Sequence, residues 1–116
     1  MNKIKPILPS LRERKRYLAF EIISEDKAHD FSAVSKALWQ AFYKCLGEFE
    51  CSRAGIQIVA EKYNANLQRG LLRVNNRYVN HIKSALIFID HVSGTNAIVR
   101  SVGVSGMISK AQRQYL

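Results

Sequence analysis

The stretch Tyr17–Ser24, with the sequence YLAFEIIS, is the segment from which the fold can be worked out. It is rich in aromatic and branched aliphatic residues, a composition typical of a β-strand. Because successive side chains of a strand point to opposite faces, Leu18, Phe20 and Ile22 would share one face and the alternate residues, beginning with Tyr17, the other. The segment therefore predicts the first strand of the chain.

A helix is predicted directly after this strand. Residues 25–30 form a polar turn, and Asp30 or Ser32 can cap a helix by accepting hydrogen bonds from its first backbone N–H groups. Apolar residues then recur at helical spacing, and Gly47 suits the C-terminus of the helix. The predicted buried stripe is Phe31, Val34, Leu38, Ala41, Phe42 and Cys45.

The rest of the chain alternates in the same way between strand-like and helix-like spacing of apolar residues. Residues 56–61 and 67–74 predict two strands, and Asn75 or Asn76 can cap a second helix. Residues 97–104 predict a fourth strand, and residues 107–115 a short basic helix. The apolar stripe of the second helix is Val79, Ile82, Ala85, Leu86 and Ile89.

The order β-α-β-β-α-β predicts an α+β fold of the ferredoxin-like or RRM-like type. We expect a four-stranded antiparallel sheet with both main helices on one face. Residues 1–116 are expected to form a single domain, with an N-terminal arm at 1–15 and a C-terminal helix at 106–116.

The charge of the chain favours an anionic partner. The 116 residues carry 18 Lys+Arg against 9 Asp+Glu, a formal net charge of +9. Residues 1–16 and 62–116 are basic, whereas residues 17–61 are mildly acidic. Nucleic acid is the commonest partner of such a protein. Two cysteines, no predicted signal peptide and no long apolar run predict a cytoplasmic location without membrane contact.

Catalytic residues are not predicted in this chain. His29, His81 and His91 are expected at the surface or at helix ends, and adjacent residues such as Asp90 and His91 make a poor acid–base pair on a helix. Cys45 is expected in the core, and Cys51 is expected to be a thiol with no special role. Glu25, Asp26 and Asp30 could hold a metal ion, but a solvated turn is the favoured interpretation.

The third strand, Arg69–Val74 (RGLLRV), argues against base stacking on the sheet. RRM domains place aromatic residues there, whereas this chain has leucine at both stacking positions. Tyr17, Val59 and Leu71 would instead form an apolar patch flanked by Arg69 and Arg73. An exposed patch of this kind favours a protein partner, but the tail helix or the N-terminal arm could equally cover it.

The cluster Arg12–Arg16 is the strongest candidate for binding phosphate, because one guanidinium group can donate two parallel hydrogen bonds to phosphate oxygens. Such binding would follow the backbone and shape of a nucleic acid and would depend strongly on salt. Within the cluster, the predicted RNA-binding residues are Arg12, Arg14, Lys15 and Arg16. The second-rank candidates are Arg69, Arg73, Arg77, Lys110 and Arg113.

Three segments resemble the archaeal ribonuclease P protein component 2 family. Residues 8–17 (LPSLRERKRY) are similar to its opening, and residues 69–74 and 100–108 (RSVGVSGMI) are similar to its other signature stretches. The resemblance runs along essentially the whole chain. Met107 departs from it, since threonine is more often expected after Ser105-Gly106.

The resemblance implies a subunit of a ribonucleoprotein that removes the 5′ leader from precursor tRNA. In that family the RNA holds the catalytic centre and its Mg²⁺ ions, so no cofactor is expected in this chain. The implied partners are ribonuclease P RNA and the TIM-barrel-like protein component 3, with precursor tRNA contacted indirectly. A second copy of this chain is a further candidate partner.

Two other functions of the same fold stay open at this point. One is an RNA-scaffold protein such as a ribosomal protein, and the other is a small-ligand regulatory module. The regulatory module would bind RNA weakly and without salt dependence, and the charge of +9 argues against it.

Overall fold

A computed structural model of the chain describes residues 14–24 and 29–116. Most of the expected N-terminal arm, with Arg12, lies outside the described residues, as do Glu25 and Asp26 of the acidic turn. The strands are β1 (Lys15–Ser24), β2 (Gln57–Asn64), β3 (Arg69–Asn75), β4 (His91–Val92) and β5 (Thr95–Ser105). The helices are α1 (Phe31–Ala54), α2 (Val79–Ile87) and α3 (Ile108–Tyr115), with a 3₁₀ turn at Asn76–Tyr78.

The strands form one antiparallel sheet in the order β2-β3-β1-β5-β4. β1 lies at its centre, with Leu18 opposite Leu72 of β3 on one side and Val104 of β5 on the other. The four long strands have the order expected of a ferredoxin-like sheet, so the predicted fold class is confirmed. The sheet has five strands rather than four because β4 adds a short edge.

β4 and β5 form a hairpin that the sequence analysis did not predict. Ser93 and Gly94 both have positive φ angles, of 55° and 76°. Two such residues between paired strands make the turn whose twist matches that of a β-hairpin. Ser93 and Gly94 therefore connect an additional strand pair.

α1 begins as predicted but ends later. Asp30 caps it, its carboxylate accepting from the Ala33 N–H at 2.9 Å. Gly47 interrupts the helix with φ 82° and ψ 165°, and the chain then resumes helical turns until Gly55, which takes the left-handed conformation at φ 63°. The prediction that Cys45 is buried was wrong: Cys45, just before this break, is exposed, whereas Cys51, in the turns after it, is buried.

Both faces of the sheet are covered by helices. α1 and α2 pack on one face, where the predicted residues Leu18, Phe20 and Ile22 join the main hydrophobic core. α3 lies across the opposite face, where Ala111 and Leu71 are fully buried. The sheet is therefore the middle layer of three. In the part of the chain that the structure describes, no helix is long and apolar enough to cross a bilayer.

Candidate nucleic-acid interface

Basic side chains gather at the end of the sheet where β1 begins and β3 ends. Arg14 is exposed just before β1, and its carbonyl accepts from the Asn76 N–H at 2.6 Å. Lys15 and Arg16 follow as the first two residues of β1. Lys15 Nζ donates to Asn75 Oδ1, and Arg16 Nε donates to Asn76 Oδ1 at 3.1 Å. Three consecutive cations are thus anchored to the end of β3.

Three further arginines extend this cluster. Arg73 lies opposite Tyr17 in β1 and Gln57 in β2, and its Nη1 donates to Gln57 Oε1 at 3.3 Å. Arg77 is exposed in the 3₁₀ turn that follows Asn76. Arg53 is exposed in the last turn of α1, and its carbonyl accepts from Asn75 Nδ2 at 2.8 Å. We call this group the basic end: Arg14, Lys15, Arg16, Arg53, Arg73 and Arg77.

Arg53 was missed by the sequence analysis because it stands within the acidic middle third of the chain. One signal was available, since a basic residue in the last turn of a helix is favoured by the helix dipole. Its position beside Asn75 at the end of β3, however, depends on where α1 ends. That end was predicted at Gly47 and lies at Ala54.

Arg69 lies away from the basic end, near the other end of β3, and is held in a different way. Its Nε contacts Glu21 Oε2 at 3.2 Å, and its Nη1 donates to the Tyr115 carbonyl at 3.0 Å. Arg100 contacts the second oxygen, Glu21 Oε1, at 2.8 Å. The hydrogen bond from Arg100, together with the contact from Arg69, holds the pKa of the Glu21 carboxyl below its usual range. Arg69 is therefore held by contacts within the protein, and the single carboxylate of Glu21 offsets part of the charge of Arg69 and Arg100.

Lys110 and Arg113 are exposed on α3, three residues apart and hence on one side of the helix. Arg113 borders a groove of about 710 Å³ between α3 and the end of β2, where Lys62 and Glu61 also lie. These two predicted residues lie on a separate surface that carries both basic and acidic side chains. The structure thus brings Arg14, Lys15, Arg16, Arg73 and Arg77 together and leaves Arg69, Lys110 and Arg113 elsewhere.

The apolar patch of Tyr17, Val59 and Leu71 exists and is covered by α3. Leu71 is fully buried and Val59 is buried, while Tyr17 is half-buried beside them. The sequence left open whether a partner protein or the chain itself covers this patch. In the structure the tail helix α3 covers it. A direct contact between Leu71 and a partner protein stays a prediction, and it would require α3 to leave the sheet.

The histidines differ in part from the expectation. His29 is buried, and its carbonyl accepts from Tyr63 Oη at 2.8 Å. His91 Nδ1 lies 3.0 Å from Asp90 Oδ1, and this contact lowers the pKa of Asp90. The two adjacent residues can meet because His91 starts a strand rather than continuing a helix. Among the described residues, no three His, Cys, Asp or Glu side chains group closely enough to hold a metal ion.

Comparison with known proteins gives one family for nearly the whole chain. A sequence model of the Rpp14/Pop5 family matches residues 16–116. A protein of Archaeoglobus fulgidus named ribonuclease P protein component 2 is 37% identical, covering 97% of this chain and 98% of its own. Its namesake in Pyrococcus horikoshii is 35% identical, covering 100% of this chain and 94% of its own.

A solved structure has the same fold. A chain in the cryo-EM structure of yeast ribonuclease MRP superposes with a TM-score of 0.63 at 16% identity. The match covers 88% of this chain and 85% of that chain. At this level of identity the similarity concerns the fold.

Proposed function

Because the chain belongs to the Rpp14/Pop5 family, we propose that it is a protein subunit of ribonuclease P. In this role it supports the catalytic RNA in removing the 5′ leader from precursor tRNA. Relatives named ribonuclease P protein component 2 match it over nearly their full length, which favours this function over a ribosomal protein or a regulatory module. The observation that carries the proposal is the basic end, where Arg14 and five cations from four elements lie around the end of β3.

The basic end acts by neutralising phosphates. Folded RNA brings phosphate groups close together, and their repulsion opposes the compact state. Cations held on a rigid strand end relieve this repulsion and release condensed counterions. The RNA would then need fewer Mg²⁺ ions to reach its active form. The chain brings no cofactor of its own in this mechanism, since the RNA holds the Mg²⁺ that supports cleavage.

Reconstitution tests this function directly. The full chain is added, with protein component 3, to a ribonuclease P RNA, and precursor-tRNA cleavage is measured as Mg²⁺ is lowered. We expect the chain to shift the Mg²⁺ requirement to lower concentration. An unchanged Mg²⁺ dependence would contradict the proposal.

A matched pair of variants locates the effect. The first replaces Arg14, Lys15 and Arg16 by Ala, and the second replaces Lys36, Lys44 and Lys83, on the helix layer, by Ala. Both remove three positive charges. The first should reduce the slope of log K against log salt by about two to three, because each phosphate contact contributes roughly 0.7–0.9. Equal effects in the two variants would show that net charge alone, and not the basic end, binds the RNA.

The proposed protein partner is component 3, and precursor tRNA is contacted only through the assembly, in the cytoplasm. A second copy of this chain within the same assembly is part of the proposal. Size-exclusion chromatography with light scattering, applied to the chain alone and to the chain mixed with component 3, measures both associations. A mixture in which the two proteins elute separately would overturn the pairing.

A further inference from the structure

Two asparagines at the end of β3 do not do what their position in the sequence suggests. Asn75 and Asn76 precede a helix, where asparagine commonly caps the first N–H groups. Asn75 occupies the N-cap position of the 3₁₀ turn but makes no side-chain cap hydrogen bond. Its Oδ1 instead accepts from Lys15 Nζ, and Asn76 Oδ1 accepts from Arg16 Nε. Both side-chain oxygens are directed to cations of β1.

These contacts are part of the tertiary structure rather than of a local turn. Each joins residues that are 60 positions apart in the chain. Asn75 is only 6% exposed, and its Nδ2 also donates to the Arg53 carbonyl, so one amide links Lys15 to the end of α1. Gly106 leaves room for Arg16, since a Cβ atom there would lie 2.8 Å from Arg16 Nη1.

The choice of a neutral amide separates this end of the sheet from the other. Arg69 and Arg100 are held by Glu21, whose carboxylate offsets one of their two positive charges. Lys15 and Arg16 are held by amide oxygens, which fix a donor but add no negative charge. The side chains at the basic end are thus ordered while their positive charge stays available to an anion.

We propose that Asn75 and Asn76 are positioning residues of the RNA-phosphate site, each holding one cation, Lys15 or Arg16, in place before RNA arrives. This inference rests on the proposed function and specifies how its surface works. Long basic side chains lose rotamer freedom when they bind, and a side chain already held in place loses less. The amides therefore raise RNA affinity without touching the RNA.

Asn76→Ala is the central test, because Asn76 is exposed and its backbone bond to Arg14 does not involve the side chain. RNA affinity is measured by fluorescence anisotropy across a salt series, using ribonuclease P RNA. We expect a loss of about two- to tenfold at fixed salt, with an unchanged salt slope because no charge is removed. The Nε–H resonance of Arg16 in ¹⁵N NMR spectra should weaken by exchange with water.

Two further variants exclude a merely structural role. Asn76→Asp keeps the acceptor, so the Arg16 Nε–H resonance should persist while RNA affinity and the salt slope both fall. Gly106→Ala leaves both amides intact but displaces the flexible end of Arg16, and it should weaken binding to a similar extent as Asn76→Ala. Asn80→Ala removes an exposed amide from α2 and is the matched control, expected to bind like the parent chain.

Arg16→Ala separates failure of this inference from failure of the proposed function. If Arg16→Ala leaves RNA binding and its salt slope unchanged, the phosphate site itself is misplaced. If Arg16→Ala weakens binding but Asn76→Ala and Gly106→Ala bind like Asn80→Ala, the positioning role is overturned. Weakening by all three, with the slope reduced only in Arg16→Ala, supports it.

Discussion

Arg69 Nη1 of β3 donates to the backbone carbonyl of Tyr115 at 3.0 Å and so ties the end of α3 to the sheet. The same guanidinium contacts Glu21 of β1 through Nε. One side chain thereby connects two strands to the helix that covers them. Arg69, one of the predicted RNA-binding residues, thus helps to hold α3 against the sheet.

Burial beneath α3 predicts the effect of a charge at Ala111. This residue is fully buried against the sheet, so Ala111→Asp would place a carboxylate among apolar side chains. We expect the free energy of unfolding to fall by about 2–4 kcal/mol, measured by urea denaturation. Ser109→Asp, an exposed position on the same helix, should change it by less than about 0.5 kcal/mol. Equal losses would mean that α3 does not pack on the sheet in solution.

Gly103 allows Tyr115 to lie against β5. A Cβ atom at position 103 would come within 2.2 Å of the tyrosine ring, so Gly103→Ala must displace the ring of Tyr115. Overpacking of this kind costs about 1–3 kcal/mol. Because the collision needs the ring, the cost should be much smaller when Tyr115→Ala is also present, and a double-mutant cycle of unfolding free energies measures this coupling. Strictly additive losses would contradict the contact.

Glu21 makes the stability of the protein depend on acid pH. Its pKa is lowered in the folded state, so its contribution to stability is present above the ordinary value of 4.5 and is lost as pH falls through the folded pKa. Glu21→Gln should reduce the free energy of unfolding by about 0.5–1 kcal/mol at pH 7, a modest value because both arginines are partly exposed. The difference between parent and variant should vanish near pH 3, as followed by thermal melts. A constant difference across this range would rule out the charged contacts as its source.

The two cysteines should react at different rates. Burial raises the pKa of the Cys51 thiol, which lowers its thiolate fraction and its access to reagents, whereas Cys45 is exposed. Mass spectrometry after brief alkylation at neutral pH should find Cys45 modified and Cys51 intact. In urea both thiols should react, which serves as the control. Prompt labelling of Cys51 in the folded protein would place the end of α1 away from the core.

Much of the fold could be predicted because local pattern and tertiary packing agree. The alternation of Leu18, Phe20 and Ile22 set the core face of β1, and the helical spacing of Ile82, Ala85 and Leu86 set that of α2. The prediction for α1 was wrong after Gly47, since a glycine can either end a helix or only interrupt it. Which occurs depends on the packing of the residues that follow.

The sequence by itself determined the α+β order of elements, the two faces of β1 and the cluster of basic residues that begins it. Only the tertiary structure decided which basic side chains remain available to an anion. Strand register places Arg69 opposite Glu21, whose negative carboxylate pairs with it, and Lys15 opposite Asn75, whose amide carries no charge. These partners are 48 and 60 residues apart, and no local pattern encodes such pairing. The register of β1 against β3 thus separates structural cations from those that can bind phosphate.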